Sequence, residues 1–357
     1  MRVIVTNNAL KPGVSGMMRV KNDGQFVEKC IESCIDALDE LIIVWNDCQD
    51  NSASEIERMR QQYPDKIKTF EYKYKIYSMN LTREEYEYAK GLPEDSPHLL
   101  CNYYNFCLSK VTHKYALKID ADQFYYHNKL AEVCDYLRND DKARFSLYVA
   151  IGFIVFLYLK VVQKLSILFN MFFRVIPGRM PVFLSKCYDT FSKYMLATYS
   201  WSISYSGVNI FENEGKKLIP LGKSSGAINI LPPFNGVGDL LLFRLSPQCY
   251  YMTYDNQFYS KMRGSKYSLI ERFVCPKHNT FGGFIWNHMA MNRDCIKEAV
   301  RQVSSDNKNR FLEPKKLLKM NFYNINRMVD KSIFQLGTQI YFQSVYSVYK
   351  SDIESNL

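Results

Sequence analysis

The sequence predicts an α/β protein with a doubly wound sheet, and three observations carry that expectation. Apolar runs of strand length alternate with amphipathic stretches of helical period up to about residue 140. Leu41-Ile42-Ile43-Val44-Trp45 is continuously apolar, the pattern of a parallel strand buried on both faces. Polar turns with carboxylates follow two of these runs, at Asn46–Ser52 and Asp120–Asp122, where open α/β sheets bind ligands.

The elements follow in order. Pro12, Gly13 and Gly16 mark a lead into a short strand, Met17–Val20, which Lys21-Asn22-Asp23-Gly24 breaks. Phe26, Val27, Cys30, Ile31, Cys34, Ile35 and Leu38 recur at helical spacing behind an N-cap at Asn22 or Asp23. With the strand Leu41–Trp45 the chain opens as β-α-β. A helix over Ser54–Tyr63 leads to a strand at Ile67–Tyr72. Leu81–Pro97 reads as a charged loop with one helical turn at Glu84–Lys90. A helix from Leu99 to Lys110 delivers the chain to the strand Tyr115–Ile119. Further on, Leu231–Gly238 reads as turn-rich and Asp239–Leu245 as a strand. From Arg293 helical spacing returns (Ile296, Ala299, Val300, Val303), with further helices expected from Pro314.

Composition bounds the function. At 357 residues with 47% hydrophobic content the chain has ample core for one large α/β unit with a helical annex. Lys and Arg exceed Asp and Glu by 46 − 36 = 10, which favours a polyanionic partner: a phosphorylated donor, an anionic membrane surface or nucleic acid. No zinc-finger spacing or RNA-binding aromatic signature supports nucleic acid, so none is expected. Ten cysteines without a CxxC pair read as reduced and mostly buried. Met1–Asn8 turns polar too soon for a signal peptide, so a cytoplasmic location is expected. Leu147–Leu159 is almost wholly apolar, and after Lys160, Gln163 and Lys164 the character resumes through Phe173. The uncharged run is shorter than the roughly 18–20 residues of a membrane span. Its basic flanks suit either an interfacial helix on anionic lipid or a buried strand followed by a helix.

Paired carboxylates at a strand end supply the oxygen ligands that hard divalent ions take, and such an ion screens a diphosphate. Asp120 and Asp122 of Lys118-Ile119-Asp120-Ala121-Asp122 are that pair. A lone D-x-D is a weak signal, but here it stands in an ordered set. Met18–Val27 is similar to an opening strand, Asn-containing turn and helix. Trp45-Asn46-Asp47-Cys48-Gln49-Asp50-Asn51-Ser52 is similar to V-D-D-G-S-x-D-x-T, with Asn46, Cys48 and Ser52 as departures. Asn102 near the start of a helix then precedes the strand ending in D-A-D. In these segments, spanning Met17–Gln123, the chain resembles the family 2 glycosyltransferases of the GT-A fold.

The resemblance implies a single Rossmann-type mixed sheet flanked by helices, with a helical C-terminal region. The catalytic domain would run over residues 1–290, with a donor part at about 14–125, an inserted apolar segment at 145–176 and an acceptor part at 200–290; residues 291–357 would form the helical region. It implies that Asp47 hydrogen-bonds the uracil of a uridine-diphosphate sugar, with Asp50, Asn22, Asn102 and Arg19 around the donor. Asp120 would face the ribose or a metal-bound water. Asp122 would ligate Mn2+ or Mg2+, with His278 completing the metal shell.

Tyr254-Asp255-Asn256-Gln257-Phe258-Tyr259-Ser260-Lys261-Met262 is similar to the family's E-D-x-x-L-x-x-R motif, which makes Asp255 the general base; Tyr254 departs from the acidic residue, and Asp239 is the competing base. Gly282-Gly283-Phe284-Ile285-Trp286 reads as a lid or acceptor platform; for Trp286 a core role is the favoured reading and stacking on an acceptor sugar the alternative. The implied activity is inverting transfer to a glycan acceptor, lipid-linked in O-antigen or capsule synthesis, at the inner face of a membrane. A sugar-nucleotide-forming nucleotidyltransferase and a non-catalytic glycan-binding protein at a membrane surface are the alternatives. Lys11-Pro12-Gly13-Val14-Ser15-Gly16 is a poor copy of the phosphate loop that the nucleotidyltransferase needs.

Overall fold

A computed structural model describes residues 10–168, 181–220, 234–255, 267–275, 278–306 and 311–314, with the backbone alone described at 162–168 and 234–240. The strands are β1 (Lys11–Val20), β2 (Glu40–Trp45), β3 (Ile67–Glu71), β4 (His113–Asp120), β5 (Gln123–Tyr125), β6 (Ser202–Asn209), β7 (Phe211–Asn213), β8 (Lys216–Pro220), β9 (Phe234–Arg244), β10 (Tyr250–Asp255), β11 (Leu269–Val274), β12 (Asn279–His288) and β13 (Phe311–Leu312). The helices are α1 (Gly24–Cys34), α2 (Ser52–Gln62), α3 (Arg83–Lys90), α4 (Leu100–Leu108), α5 (His127–Arg138), α6 (Leu147–Leu168), α7 (Val182–Tyr199) and α8 (Asp294–Asp306). The chain divides into two compact units, Met1–Ala121 with Leu242–His278, and Asp122–Leu241 with Asn279–Leu357.

The first unit is the predicted βαβ arrangement. β3, β2, β1 and β4 lie side by side and parallel, and residues 242–244 add to β4 in the antiparallel sense. β1 begins at Lys11, well before the expected Met17. Pairing on both sides, with β2 from Ser15 and with β4 from Lys11, carries it through the glycines, and a register shift between Lys11 and Val14 absorbs Pro12 and Gly13. α3 is a full helix where only one turn was expected. Thr82 and Glu85 form a capping box that supplies its start. β10 and β11 form a hairpin against α4, and Asn105 of α4 bonds both backbone groups of Tyr251 at 2.8 Å, taking the place of a neighbouring strand.

In the second unit β6 and β12 run parallel and β5 adds to β12 antiparallel. The expected turn at 235–238 lies inside β9. β12 carries register shifts between Phe281 and Trp286, and Gly283 takes a left-handed φ of 78°. The buried Lys129 ammonium donates to the carbonyls of Gly282 and Phe284 at 2.8 and 3.1 Å, satisfying acceptors at that irregularity.

The apolar segment is helical: α6 spans Leu147–Leu168, and the strand alternative is not realised. Val149, Gly152 and Val155 are buried, and a Cβ on Gly152 would collide with the Cys187 carbonyl and Phe191 of α7, so a glycine there lets the two helices touch backbone to backbone. Phe153, Phe156 and Phe191 pack at the same crossing. Ile154, Leu157, Tyr158 and Val161 remain exposed on α6, as does Phe183 on α7. Among the described residues no helix is long and apolar enough to cross a membrane. The apolar run at 169–173 and the helices expected beyond Pro314 lie outside the described residues.

Candidate active site

Because β1, β2, β3 and β4 are parallel, their carboxyl ends share one edge of the first unit, and the predicted donor residues gather there. Arg19 of β1 stands in register between Val44 and Asp120. After β2 the backbone turns through a left-handed Asp47 (φ 46°), and Asn22 (φ 56°) faces it from the turn after β1, its Oδ1 accepting the Gln49 N–H at 2.7 Å. Asn and Asp tolerate this conformation better than other residues, so the sequence chooses the turn here. Asp47 is exposed, held by Lys21 at 3.2 Å and by the Gln49 amide at 2.8 Å. It is the acidic side chain of this turn that stands open to a ligand.

Asp50 and Asn102 are committed to the scaffold. Asp50 Oδ1 accepts from the Ser52 N–H and hydroxyl, and Oδ2 accepts the Gly24 N–H at 2.9 Å, so one carboxylate ties together the starts of α1 and α2. Burial opposes its charge, but these donors outweigh it and hold the carboxyl below the usual range. Asn102 spends its amide on the Glu94 and Ser96 carbonyls at 2.7 and 2.9 Å. Each shapes the edge from behind and does not offer its side chain to the donor.

Arg19 is also more engaged than the sequence suggested. Its guanidinium lies over the Tyr104 ring, 3.4 Å from the centroid, and bonds the Tyr104 hydroxyl, while Tyr104 stacks on Tyr251 at 4.5 Å. Burial pushes the Tyr104 phenol up, with Arg19 opposing. Asp120 ends β4 with a partly exposed carboxylate 3.3 Å from Lys118 Nζ, two residues back. Lys118 itself is buried and its ammonium lies 5.6 Å from the Tyr104 ring centroid.

Asp122 opens the second unit and is 6% exposed. Its Oδ2 lies 2.8 Å from an Arg293 guanidinium nitrogen and 3.4 Å from His288 Nε2, and its carbonyl accepts the Met289 N–H at 2.9 Å. Burial works against ionisation, yet the charges and hydrogen bonds of His288 and Arg293 hold the carboxyl well below the carboxylate range. His288 Nδ1 pairs with Asn209 Oδ1 at 2.7 Å, so the ring is fixed from its far side. The histidine that meets Asp122 is therefore His288 at the end of β12. His278 is exposed on the strand's approach, ten residues earlier.

For Trp286 the structure realises the core role and not the acceptor contact. It is fully buried in β12, packed against Gly207 and 6.3 Å from the Tyr125 ring, so its face is closed to an acceptor. The 282–286 stretch lies within strand β12 and is not a lid: Phe284 and Trp286 pair with β6, and Trp286 also pairs with β5. Asp255 ends β10 and accepts the Tyr86 hydroxyl at 2.6 Å, with Lys90 Nζ at 3.5 Å. The remainder of its expected motif and the side chain of Asp239 lie outside the described residues. Lys118 opens the Asp-Ala-Asp segment but had no assigned role from the sequence; Tyr104, Asn209, His288 and Arg293 had none either, since they fall in no spaced motif. Among the described residues, no three His, Cys, Asp or Glu side chains group as a closed metal cage would require.

Sequence comparison ties the N-terminal part of the chain, residues 7–160, to a glycosyltransferase family model. The family model that matches, over residues 7–160 and so less than half of the chain, is described as beta-1,4-N-acetylgalactosaminyltransferase (CgtA). No curated protein matches. Among solved structures the chain is similar to Staphylococcus aureus TarS 1-349 in complex with UDP, at 14% identity and a TM-score of 0.24, covering 36% of this chain and 33% of that one. It is also similar to Mycobacterium tuberculosis glucosyl-3-phosphoglycerate synthase in complex with Mn2+, UDP and glucosyl-3-phosphoglycerate, at 14% identity and a TM-score of 0.19, covering 32% and 34%. The chain thus spans about a third of the length of these structures.

Proposed function

We propose that this protein transfers a sugar, with inversion and with the help of a divalent metal, from a uridine-diphosphate sugar to a hydroxyl of a glycan acceptor, in the synthesis of O-antigen or capsule polysaccharide. The observation that carries the reading is the carboxyl edge of the first unit, where Asp47, Arg19 and Asp120 stand at the ends of three adjacent parallel strands. Asp47 accepts the imide N–H of uracil, which a carboxylate does and a cytosine ring would not reward. Asp120 takes the ribose hydroxyls. Arg19, locked over Tyr104, contributes fixed positive charge to this edge. The matching family's name makes UDP-N-acetylgalactosamine the first donor to try.

The residues present fit a divalent ion. Asp122 would offer a carboxylate and His288, once Nε2 gives up its proton, an imidazole nitrogen; its Nδ1 is already held by the Asn209 amide oxygen, the usual support of a histidine ligand. When bound, Mn2+ or Mg2+ supplies charge neutralisation to the departing UDP. The chain's own part is to remove the proton: Asp255, with Asp239 as the competing base, accepts it from the acceptor hydroxyl while that oxygen attacks the anomeric carbon on the side opposite the diphosphate.

The exposed apolar residues of α6 and α7, flanked by Lys142, Arg144, Lys160 and Lys186, support peripheral contact with an anionic membrane, where a lipid-linked acceptor and a cytoplasmic-face location would meet. The decisive experiment measures UDP release and acceptor modification from a panel of UDP-sugars, with and without Mn2+. Donor turnover that EDTA abolishes and Asp122→Asn removes supports the reading. Absence of binding to any uridine nucleotide in a thermal-shift series refutes it.

A further inference from the structure

We propose that Cys249 and Cys275 form a redox site, a thiol pair that a low-molecular-weight disulfide oxidises to a cross-strand bridge fastening the β10–β11 hairpin beside Tyr251. Both cysteines belong to the first unit, and the inference stands apart from the donor and metal readings. The fold makes the pair, and no spacing in the sequence announces it. β10 and β11 are antiparallel, with Tyr250 opposite Val274 and Tyr251 opposite Phe273, so one further step along the ladder sets Cys249 opposite Cys275. The type of that pair follows from α4. Asn105 accepts the Tyr251 N–H and donates to the Tyr251 carbonyl, so both of these backbone groups point away from β11 and Tyr251–Phe273 is a non-hydrogen-bonded pair. Such pairs recur at every second residue, which makes Cys249–Cys275 another, with Cα atoms about 4.5 Å apart. A disulfide usually spans about 4.4–6.8 Å between Cα atoms, so the backbone is already in place for one.

The side chains agree with the backbone. The two thiols are in hydrogen-bond contact, and Cys249 Sγ is held further by Ser246 Oγ at 3.3 Å and by the Arg244 carbonyl at 3.6 Å. Both are reduced thiols in this structure. Cys249 is buried and Cys275 half-buried. The contact with Cys275 and then burial push the Cys249 thiol up, so the more accessible Cys275 reacts first. Its thiolate attacks one sulfur of the small disulfide and expels one thiolate, leaving a mixed disulfide. Cys249 then gives its proton to solvent, attacks Cys275 Sγ and expels the second thiolate. Two electrons pass from the cysteines to the small disulfide, which departs as two thiols. The bridge acts on a strand held by β11 on one side and by Asn105 on the other, two residues from the ring that stacks on Tyr104 at 4.5 Å. Closing a loop over residues 250–274 restricts the opened chain and so suppresses local opening of the hairpin.

The test equilibrates the full chain with mixtures of glutathione and glutathione disulfide, blocks remaining thiols with iodoacetamide, and maps the unreduced digest by mass spectrometry. The expected product is a Cys249–Cys275 linked peptide lacking two hydrogens, which grows with the fraction of glutathione disulfide and disappears on adding dithiothreitol. The oxidised protein should melt roughly 5–10 °C higher than the reduced one. Exchange of the Tyr251 amide hydrogen should slow by about tenfold or more. Cys275→Ser should remove both changes; the map of the parent protein needs no substitution and decides the matter should that variant fold poorly. Recovery of Cys249 and Cys275 as alkylated thiols under conditions that modify the exposed Cys295 overturns the inference. So does a mixed disulfide that persists at Cys275 without resolving, or a bridge that leaves melting and Tyr251 exchange as they were.

Discussion

Replacing Glu40 tests the claim that the two ends of the first unit's strands do different work. Glu40 begins β2 and is 2% exposed; its Oε1 accepts from the Ser15 hydroxyl at 2.5 Å and the Thr112 N–H and hydroxyl at 2.7 and 2.9 Å, with His113 Nδ1 at 3.2 Å, and its Oε2 meets Lys68 at 2.6 Å. This cluster ties β1, β2, β3 and β4 together at the edge opposite Asp47 and Asp120. Burial opposes the charge, but the bonds from His113, Lys68, Ser15 and Thr112 outweigh it and hold the carboxyl far below the glutamate range. Glu40→Gln keeps the shape and an acceptor for Thr112 but loses the charge-assisted bonds, each worth about 1.5–3 kcal/mol. Lys68 is half-exposed and rehydrates cheaply, so the net loss is about 2–3 kcal/mol. The sign with pH follows from linkage. A folded pKa below the unfolded value of about 4.3 gives stability that is full above that pH and is lost on acidification. Urea unfolding followed by circular dichroism, with hydrogen exchange at β1 and β4, should show the full gap between parent and variant at pH 7 and a shrinking gap towards pH 3. UDP affinity of the folded variant should stay unchanged. A gap under 0.5 kcal/mol at neutral pH on the scale of ordinary surface changes, or one that persists in acid, refutes the reasoning.

Other substitutions probe other links. Gly152→Ala is expected to lose roughly 1–2 kcal/mol in thermal unfolding, because overpacking at the α6–α7 crossing, about 1–3 kcal/mol, exceeds the helix-propensity gain of about 1 kcal/mol. Asp50→Ala should destabilise by about 1–2 kcal/mol through two lost helix starts and loosen the Asp47 turn, read as weaker UDP binding by calorimetry; Asp50→Asn recovers part of both. Asp122→Asn should lower both turnover and melting temperature, since it strands the Arg293 guanidinium against a buried amide, whereas Asp120→Asn should lower turnover with little change in melting. Ile154→Lys with Leu157→Lys should abolish co-sedimentation with anionic vesicles while leaving UDP binding intact.

Most of the first unit was legible in the sequence because its strands are buried on both faces and its helices on one, so each type of element leaves its own period. β2, β3 and β4 fall within a residue or two of expectation. The elements misjudged are those in which partners decide the outcome. β1 runs through Pro12 and Gly13 because β4 pairs with it on either side of them, at Lys11 and from Val14, and β9 continues through Gly236 and Gly238 as one strand. Residues 147–168 were ambiguous because an apolar run without polar alternation carries no period. The helix is settled by Gly152 meeting the α7 backbone, a contact 35 residues distant in sequence.

The site divides along the same line. Asp47 and Asp120 were readable because a left-handed turn and a strand end impose local residue types, and local chemistry is what a motif records. His288 and Arg293 were not readable, because each is defined by reaching an aspartate more than 160 residues earlier, and neither has a neighbour whose spacing announces it. The sequence did call for a histidine late in the chain, and His278 answered that description as well as His288 does; ten residues of strand β12 separate the exposed one from the one whose far nitrogen is held by Asn209. Trp286, two residues before His288, shows why composition misleads at this point. In a strand buried on both faces, an indole that suits sugar stacking becomes a core side chain, and the polar residue at the strand's end is left to meet Asp122. Each carboxylate of the Asp-Ala-Asp pair already has a protein cation beside it, Lys118 for Asp120 and Arg293 for Asp122, so any ligand that uses them must exchange one cation for another and does not simply fill an acidic hollow.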